Sequence, residues 1–222
     1  MRRKISIAID GPASAGKSTV AKLLAQKLNY IYVDTGAMYR VLTYAVLKAQ
    51  LDPGDENKIL SLLKKMTISF TSEDLSQQRV WMNGEDVTEE IRADVVTNNV
   101  SEVSAHKKIR EEMVARQQAM GADGGVVMDG RDIGTAVMPK AELKIFLVAS
   151  VEERARRRYE ENISKGMTVD FETLKREIAE RDYKDSHRKN SPLVQAADAV
   201  KIDTTGMTIE EVVSEIEKII EI

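Results

Sequence analysis

Gly11-Pro12-Ala13-Ser14-Ala15-Gly16-Lys17-Ser18 fits the pattern G-x-x-x-x-G-K-[S/T], and Thr19 closes the segment. A polyphosphate needs many donors in a small space. Glycines let backbone N–H groups turn inward with no Cβ in the way. A helix starting at such a loop points the positive end of its dipole at the anion. Residues Gly11 to Thr19 are therefore expected to cradle a nucleoside triphosphate. Lys17 reaches its β and γ phosphates, and the Ser18 hydroxyl faces a Mg²⁺ ion. A plain flexible turn leaves Lys17-Ser18 without a purpose.

Such a loop serves kinases, switches and larger ATPases alike. The chain is short for the larger machines, and an N-K-x-D guanine-reading motif is absent. A small-molecule kinase needs a second, cationic pocket for its acceptor. Asp34-Thr35-Gly36-Ala37-Met38-Tyr39-Arg40 offers Thr35 as a helix cap and Arg40 about one and a half turns further on. Arg40 could grip a phosphate with two N–H groups, although alone it reads equally as a surface charge. Asp129-Gly130-Arg131-Asp132 follows an apolar run, where ligands of open α/β sheets collect, and Asp129 is the acid expected near Mg²⁺ and its water. Taken alone, it could be a simple turn. Arg154, Arg157 and Arg158 share one face of a charged helix, either a solvated face or a lid that brings positive charge to a transferring phosphoryl group.

These residues need a scaffold. Ile5 to Ile9, Ile31 to Asp34, Val126 to Asp129, Lys144 to Ala149 and Ala199 to Ile202 read as short buried strands. Apolar residues at helical spacing follow at 20–28, 38–48 and 56–66, with helices also expected at 89–98, 102–119, 151–164, 171–186 and 208–220. Thr208 with Glu211 fits a capping box. Strands separated by helices imply a parallel sheet covered on both faces. The interruption is 67–71 and 79–82, with Asn83-Gly84 as a hairpin turn and 85–88 as the return strand; this antiparallel piece reads as an insert.

Composition narrows the chemistry. The 222 residues are 42% hydrophobic and 31% charged, enough to build a core. There are no cysteines and only two histidines, which excludes disulfides, thiolate or multi-histidine metal sites and cysteine nucleophiles. A formal net charge of −3 argues against a nucleic-acid-binding surface. The basic start is followed by an apolar run too short for a signal peptide, and no run of about 20 apolar residues suggests a membrane span. A cytoplasmic location is expected.

GPASAGKS, DTGAMYR, DGRDIGT and ERDYKDSHR, in this order, together resemble the bacterial cytidylate kinases, and the similarity runs over essentially the whole chain including the hairpin. The resemblance implies a P-loop NTPase-type α/β fold. Its parts are a five-stranded parallel sheet, a hairpin-bearing insert (approximately 64–100) in a monophosphate-binding region (approximately 35–110), and a short helical lid (approximately 152–168), all in one domain over 1–222. It implies a monomer that transfers phosphate from ATP to CMP or dCMP with Mg²⁺. Thr35 stands where many members carry Ser. By the same resemblance Arg40 and Arg131 meet the CMP phosphate, and Ser101, Arg110 and Asp132 read cytosine. Asp185 and Arg188 meet the sugar, and Arg157 and Arg181 lie near the transferring phosphate. Other monophosphate or small-metabolite kinases, and a nucleotide-dependent switch, are the alternatives.

Overall fold

The computed structural model describes residues 4–71 and 78–220. The start Met1 to Arg3, residues 72–77 of the expected insert, and 221–222 lie outside the described residues. β1 (Ser6–Asp10), β2 (Ile31–Asp34), β6 (Val126–Gly130), β7 (Leu143–Val148) and β8 (Val200–Asp203) form one sheet in the order β2-β6-β1-β7-β8, with every neighbouring pair parallel. Side chains alternate between its faces. Ile7, Ile9, Tyr32 and Val127 pack on one side with α1 (Lys17–Leu28) and α8 (Ile209–Ile220). Ala8, Val33, Val126 and Met128 pack on the other with α2 (Thr35–Lys48) and α5 (Lys107–Met120). The two apolar faces explain why these strands read as continuous hydrophobic runs.

Register levels the strand ends. Asp10 pairs with Gly130, and Asp34 pairs with Asp129. Three carboxylates and the Gly-rich loop thus emerge together at the carboxyl edge. Gly11 (φ 151°) cannot be replaced there, because a Cβ would run into the Leu147 carbonyl oxygen.

The insert is a three-stranded antiparallel sheet of β3 (Ile68–Thr71), β4 (Arg79–Met82) and β5 (Glu85–Asp86), following α3 (Glu56–Lys65). Asn83 and Gly84 both have positive φ, 52° and 82°, as the hairpin turn requires. β5 is shorter than the expected 85–88: Val87 still donates to the Val80 carbonyl, but the Val80 N–H goes to the Thr88 hydroxyl, which the Asp86 carboxylate holds, and the ladder ends. Gly84 has open space around its Cβ position. Gly84→Ala therefore costs only backbone conformation, about 1 kcal/mol in a urea titration, with turnover unchanged. A loss several times larger, or slowed turnover, would contradict this.

The expected helices 89–98 and 102–119 become a 3₁₀ turn (Glu90–Arg92), α4 (Asp94–Val103) and α5. Ala93 is extended (ψ 150°) and breaks the first helix, and His106 (ψ 130°) precedes the second. In the sequence Ile91 and Val95 stand four apart across the break, which hides it from periodicity, but the chain buries Ile91, Val96, Val100 and Val103 and leaves Val95 exposed. α6 (Val151–Ser164), capped by Ser150, and α7 (Phe171–His187), capped by Asp170, form an antiparallel pair beside the loop. The capping box at Thr208 and Glu211 is formed in both directions, at 2.8 and 3.2 Å.

Candidate active site

A cleft of about 1830 Å³ opens at the carboxyl edge. Of the residues expected to bind or transfer phosphate, all but Gly11, Pro12 and Arg154 line it. The first two act through backbone: Gly11 lets the loop pass Leu147, and the Pro12 carbonyl accepts from Lys17 Nζ at 2.6 Å. Ser14 (φ 59°) and Gly16 (φ 86°) are left-handed, so successive N–H groups curve round a concavity.

Lys17 is buried, and its pKa is pushed down to about 7, first by burial and then by the Arg131 charge. An amine held this way gains strongly from an arriving polyanion. Asp129 is buried at the end of β6, where Ser18 Oγ donates to its Oδ2 at 2.8 Å and Tyr32 Oη to its Oδ1 at 2.7 Å. Burial and the nearby Asp34 raise its pKa to about 6.

Thr35 is not the helix cap expected from the sequence. Asp34 caps α2, accepting from the Ala37 N–H at 2.8 Å. Thr35 is the first helical residue, and its hydroxyl donates to the Asp129 carbonyl at 2.7 Å. A carboxylate one residue earlier outcompetes a hydroxyl for the free N–H groups.

The acceptor side is crowded with cations. Arg40 donates to the Ile91 carbonyl (3.1 Å) and the Thr97 hydroxyl (2.9 Å); burial, then Arg181, lowers its pKa to about 9. Arg181 is lowered to about 10 by burial and by Arg131. Arg131 Nε donates to Asp185 Oδ2 at 2.9 Å. Burial works to raise the Asp185 pKa, yet Arg131, Arg181 and Arg188 hold it below its ordinary value. Arg157 lies beside Gly16, fixed by Glu153 (2.9 Å) and by the Thr204 carbonyl (2.6 Å). Arginines gathered at this density favour a ligand with several negative charges.

Deeper in the cleft, Arg110 and Asp132 form a buried ion pair. Arg110 also donates to the Ser104 carbonyl at 3.1 Å and lies 5.2 Å from the Tyr39 ring. Arg188 stands 3.9 Å from both Asp132 and Asp185. Ser101 lines the same wall from α4. One carboxylate and two guanidiniums in a desolvated pocket can read a flat heterocycle by its donor and acceptor pattern.

One functional support escaped the sequence reading, and a second, expected on a solvated face or a lid, sits elsewhere. Asp10 is buried, and its oxygens accept from the Ile133 and Gly134 N–H groups at 2.8 and 2.7 Å, holding the segment that follows Arg131-Asp132. The other is Arg154, which shares the helix face with Arg157 and Arg158 but is buried beneath the loop rather than lining the cleft. Asp10 stood next to the Gly-rich motif, and its place at a strand end was the available signal.

Burial pushes Asp10 up to about 6, with Asp132 also raising it and the two N–H groups and Lys17 opposing. The folded chain thus holds this proton more tightly than the unfolded chain, whose value is about 4. Its contribution to stability is full below pH 4 and disappears as pH rises through 6, about 3 kcal/mol in all. The non-titrating Asp10→Asn variant lacks this dependence. Urea titrations should therefore show the native chain losing stability relative to Asp10→Asn between pH 4 and 7; a constant difference would contradict it.

The family model described as cytidylate kinase matches residues 7–222. A cytidylate kinase of Enterococcus faecalis is 65% identical over 217 residues, covering 98% of this chain and 96% of that one. One from Bacillus subtilis is 59% identical over 222 residues, covering 100% and 98%. An uncharacterized protein from Eubacterium ventriosum shares the fold at 14% identity, with a TM-score of 0.55 and 99% coverage of both chains. The match extends over the loop, the cationic pocket, the buried Arg110–Asp132 pair and the insert alike, and the chain belongs to the cytidylate kinase family.

Proposed function

We infer that this chain transfers the γ-phosphoryl group of ATP to CMP or dCMP, giving ADP and CDP or dCDP. The observation that carries the reading is the meeting, in one cleft, of a phosphate loop, an arginine cluster and the Arg110–Asp132 pair. An acceptor phosphate oxygen forms a bond to the γ-phosphorus while the bond to the β–γ bridging oxygen breaks, and ADP departs with that electron pair. The acceptor is largely anionic at neutral pH, with its second pKa at about 6, so no strong base is needed. Catalysis rests on alignment and charge.

In this reading the backbone of residues 11–19 and Lys17 grip the ATP phosphates. Arg40 and Arg131 hold the CMP phosphate, with Thr35 beside it. Arg157 and Arg181 stabilise charge as the phosphoryl group moves. Asp185 and Arg188 meet the sugar. Asp132 and Ser101 accept from the cytosine amino group, and Arg110 donates to its ring acceptors. Uracil presents a carbonyl at the amino position and would face Asp132 lone pair to lone pair.

Ser18 and Asp129 supply hard oxygen atoms beside the loop, 2.8 Å apart. Among the described residues no three His, Cys, Asp or Glu side chains form a metal cage. That donor set suits Mg²⁺, which usually takes few protein ligands and shares phosphate oxygens. When bound with ATP, the ion offsets charge on the β and γ oxygens.

Residues 35–110 act as the acceptor-binding region and 152–168 as the lid, whose closure would exclude water. Small-molecule substrates, a monomeric state and a cytoplasmic setting complete the reading. No helix of the described residues is long and apolar enough to cross a membrane.

The test is stoichiometry. With ATP, Mg²⁺ and CMP, ADP and CDP should form in equal amounts, and ATP should be nearly stable without CMP. Equal ADP release with and without CMP would refute transfer.

A further inference from the structure

Arg154 lies outside the cleft, yet it joins three elements that serve it. Its Nε donates to the Ala149 carbonyl, at the end of β7, at 3.0 Å. Its Nη1 donates to the Ala13 carbonyl, inside the phosphate loop, at 3.1 Å. Its Nη2 meets Asp182 Oδ2, on α7, at 2.6 Å. The side chain is 4% exposed, so these bonds replace its water. A planar guanidinium can hold three acceptors in fixed directions, which the point charge of lysine cannot.

The Ala13 bond has a consequence for the ligand. A trans peptide sets its C=O and N–H in opposite directions. Holding the Ala13 carbonyl toward α6 therefore turns the Ser14 N–H away from α6. Ser14 lines the cleft and is left-handed, a conformation that needs outside support in a residue other than glycine. The Asp182 bond ties the same guanidinium to α7. Asp182 directly follows Arg181 and precedes Asp185, the partner of Arg131.

We propose that Arg154 is a positioning residue that couples the aim of the phosphate loop to the placement of α7, so that donor binding senses the helix carrying Arg181 and Asp185. Arg154 acts through the Ala13–Ser14 peptide, and Asp182 acts on ATP only through Arg154. The kinase gains a loop shaped for ATP when the acceptor-side helix is in place.

The test is a double-mutant cycle on ATP affinity, measured by equilibrium binding without CMP, for Asp182→Asn, Arg154→Lys and both together. Asp182→Asn keeps the shape of the side chain and removes its charge. It should weaken ATP binding about fivefold, within the coupling expected for one hydrogen-bond network. In the Arg154→Lys background the same change should have no further effect. KM for ATP should rise in step in each single variant, with KM for CMP moving less. Additive losses, or an Asp182→Asn effect on CMP alone, would overturn the proposal. If Arg154→Lys loses its cooperative thermal transition, Asp182→Asn alone decides: unchanged ATP affinity refutes the link, and a selective loss supports it.

Discussion

Lys17→Ala should lower kcat/KM by about 10³-fold, the scale seen when one preorganised donor to a developing charge is removed. The side chain is 5% exposed and rests on the Pro12 carbonyl, so it is placed before ATP arrives. Burial, and then Arg131, weaken its hold on its charge in the free chain, lowering its pKa to about 7. Phosphate oxygens relieve that opposition, and the gain is greatest where charge spreads in the transition state. The fold should survive, because the same burial that weakens the Lys17 charge gives it little to lose on removal. Steady-state kinetics and a thermal melt check both parts. A variant with near-normal turnover would remove Lys17 from catalysis.

The second large effect falls on base choice. Asp132 Oδ2 faces Arg110, while Oδ1 lies on the side of Arg188. In Asp132→Asn the amide oxygen keeps the Arg110 partnership, which leaves the NH₂ on the other side. That NH₂ repels the cytosine amino group and suits the uracil carbonyl. kcat/KM for CMP should fall about 10²-fold and the CMP-to-UMP preference should shrink by more, since a buried hydrogen-bonding site punishes mismatched partners. An unchanged CMP-to-UMP ratio in a folded variant would detach Asp132 from recognition. Asp132→Ala is the poorer probe, because it strands a buried guanidinium at a cost of about 3–5 kcal/mol in stability.

Some of this was readable before any coordinates. Loop residues 11–18 carry their chemistry in consecutive positions, and strands buried on both faces betray themselves as apolar runs. The five-stranded sheet and the hairpin at Asn83-Gly84 followed. What escaped lies in long-range pairing. Asp10 bonds to backbone more than 120 positions away, and Arg154 to a carbonyl 141 positions away, and neither separation leaves a local pattern. Thr35 misled for a local reason: Asp34 and Thr35 are both good caps, but the Asp34 carboxylate takes the free N–H and the Thr35 hydroxyl turns to the Asp129 carbonyl. The break at Ala93 is invisible because the apolar spacing continues through it.

The central claim is that this cleft phosphorylates cytosine monophosphates. The most direct measurement is ADP release with ATP·Mg²⁺ against CMP, dCMP, UMP, AMP, GMP, dTMP and no acceptor. The account predicts rapid turnover with CMP and dCMP, UMP well behind, and little release with the rest. Equal or faster turnover with a purine monophosphate or with UMP would contradict the assignment of Arg110 and Asp132 to cytosine.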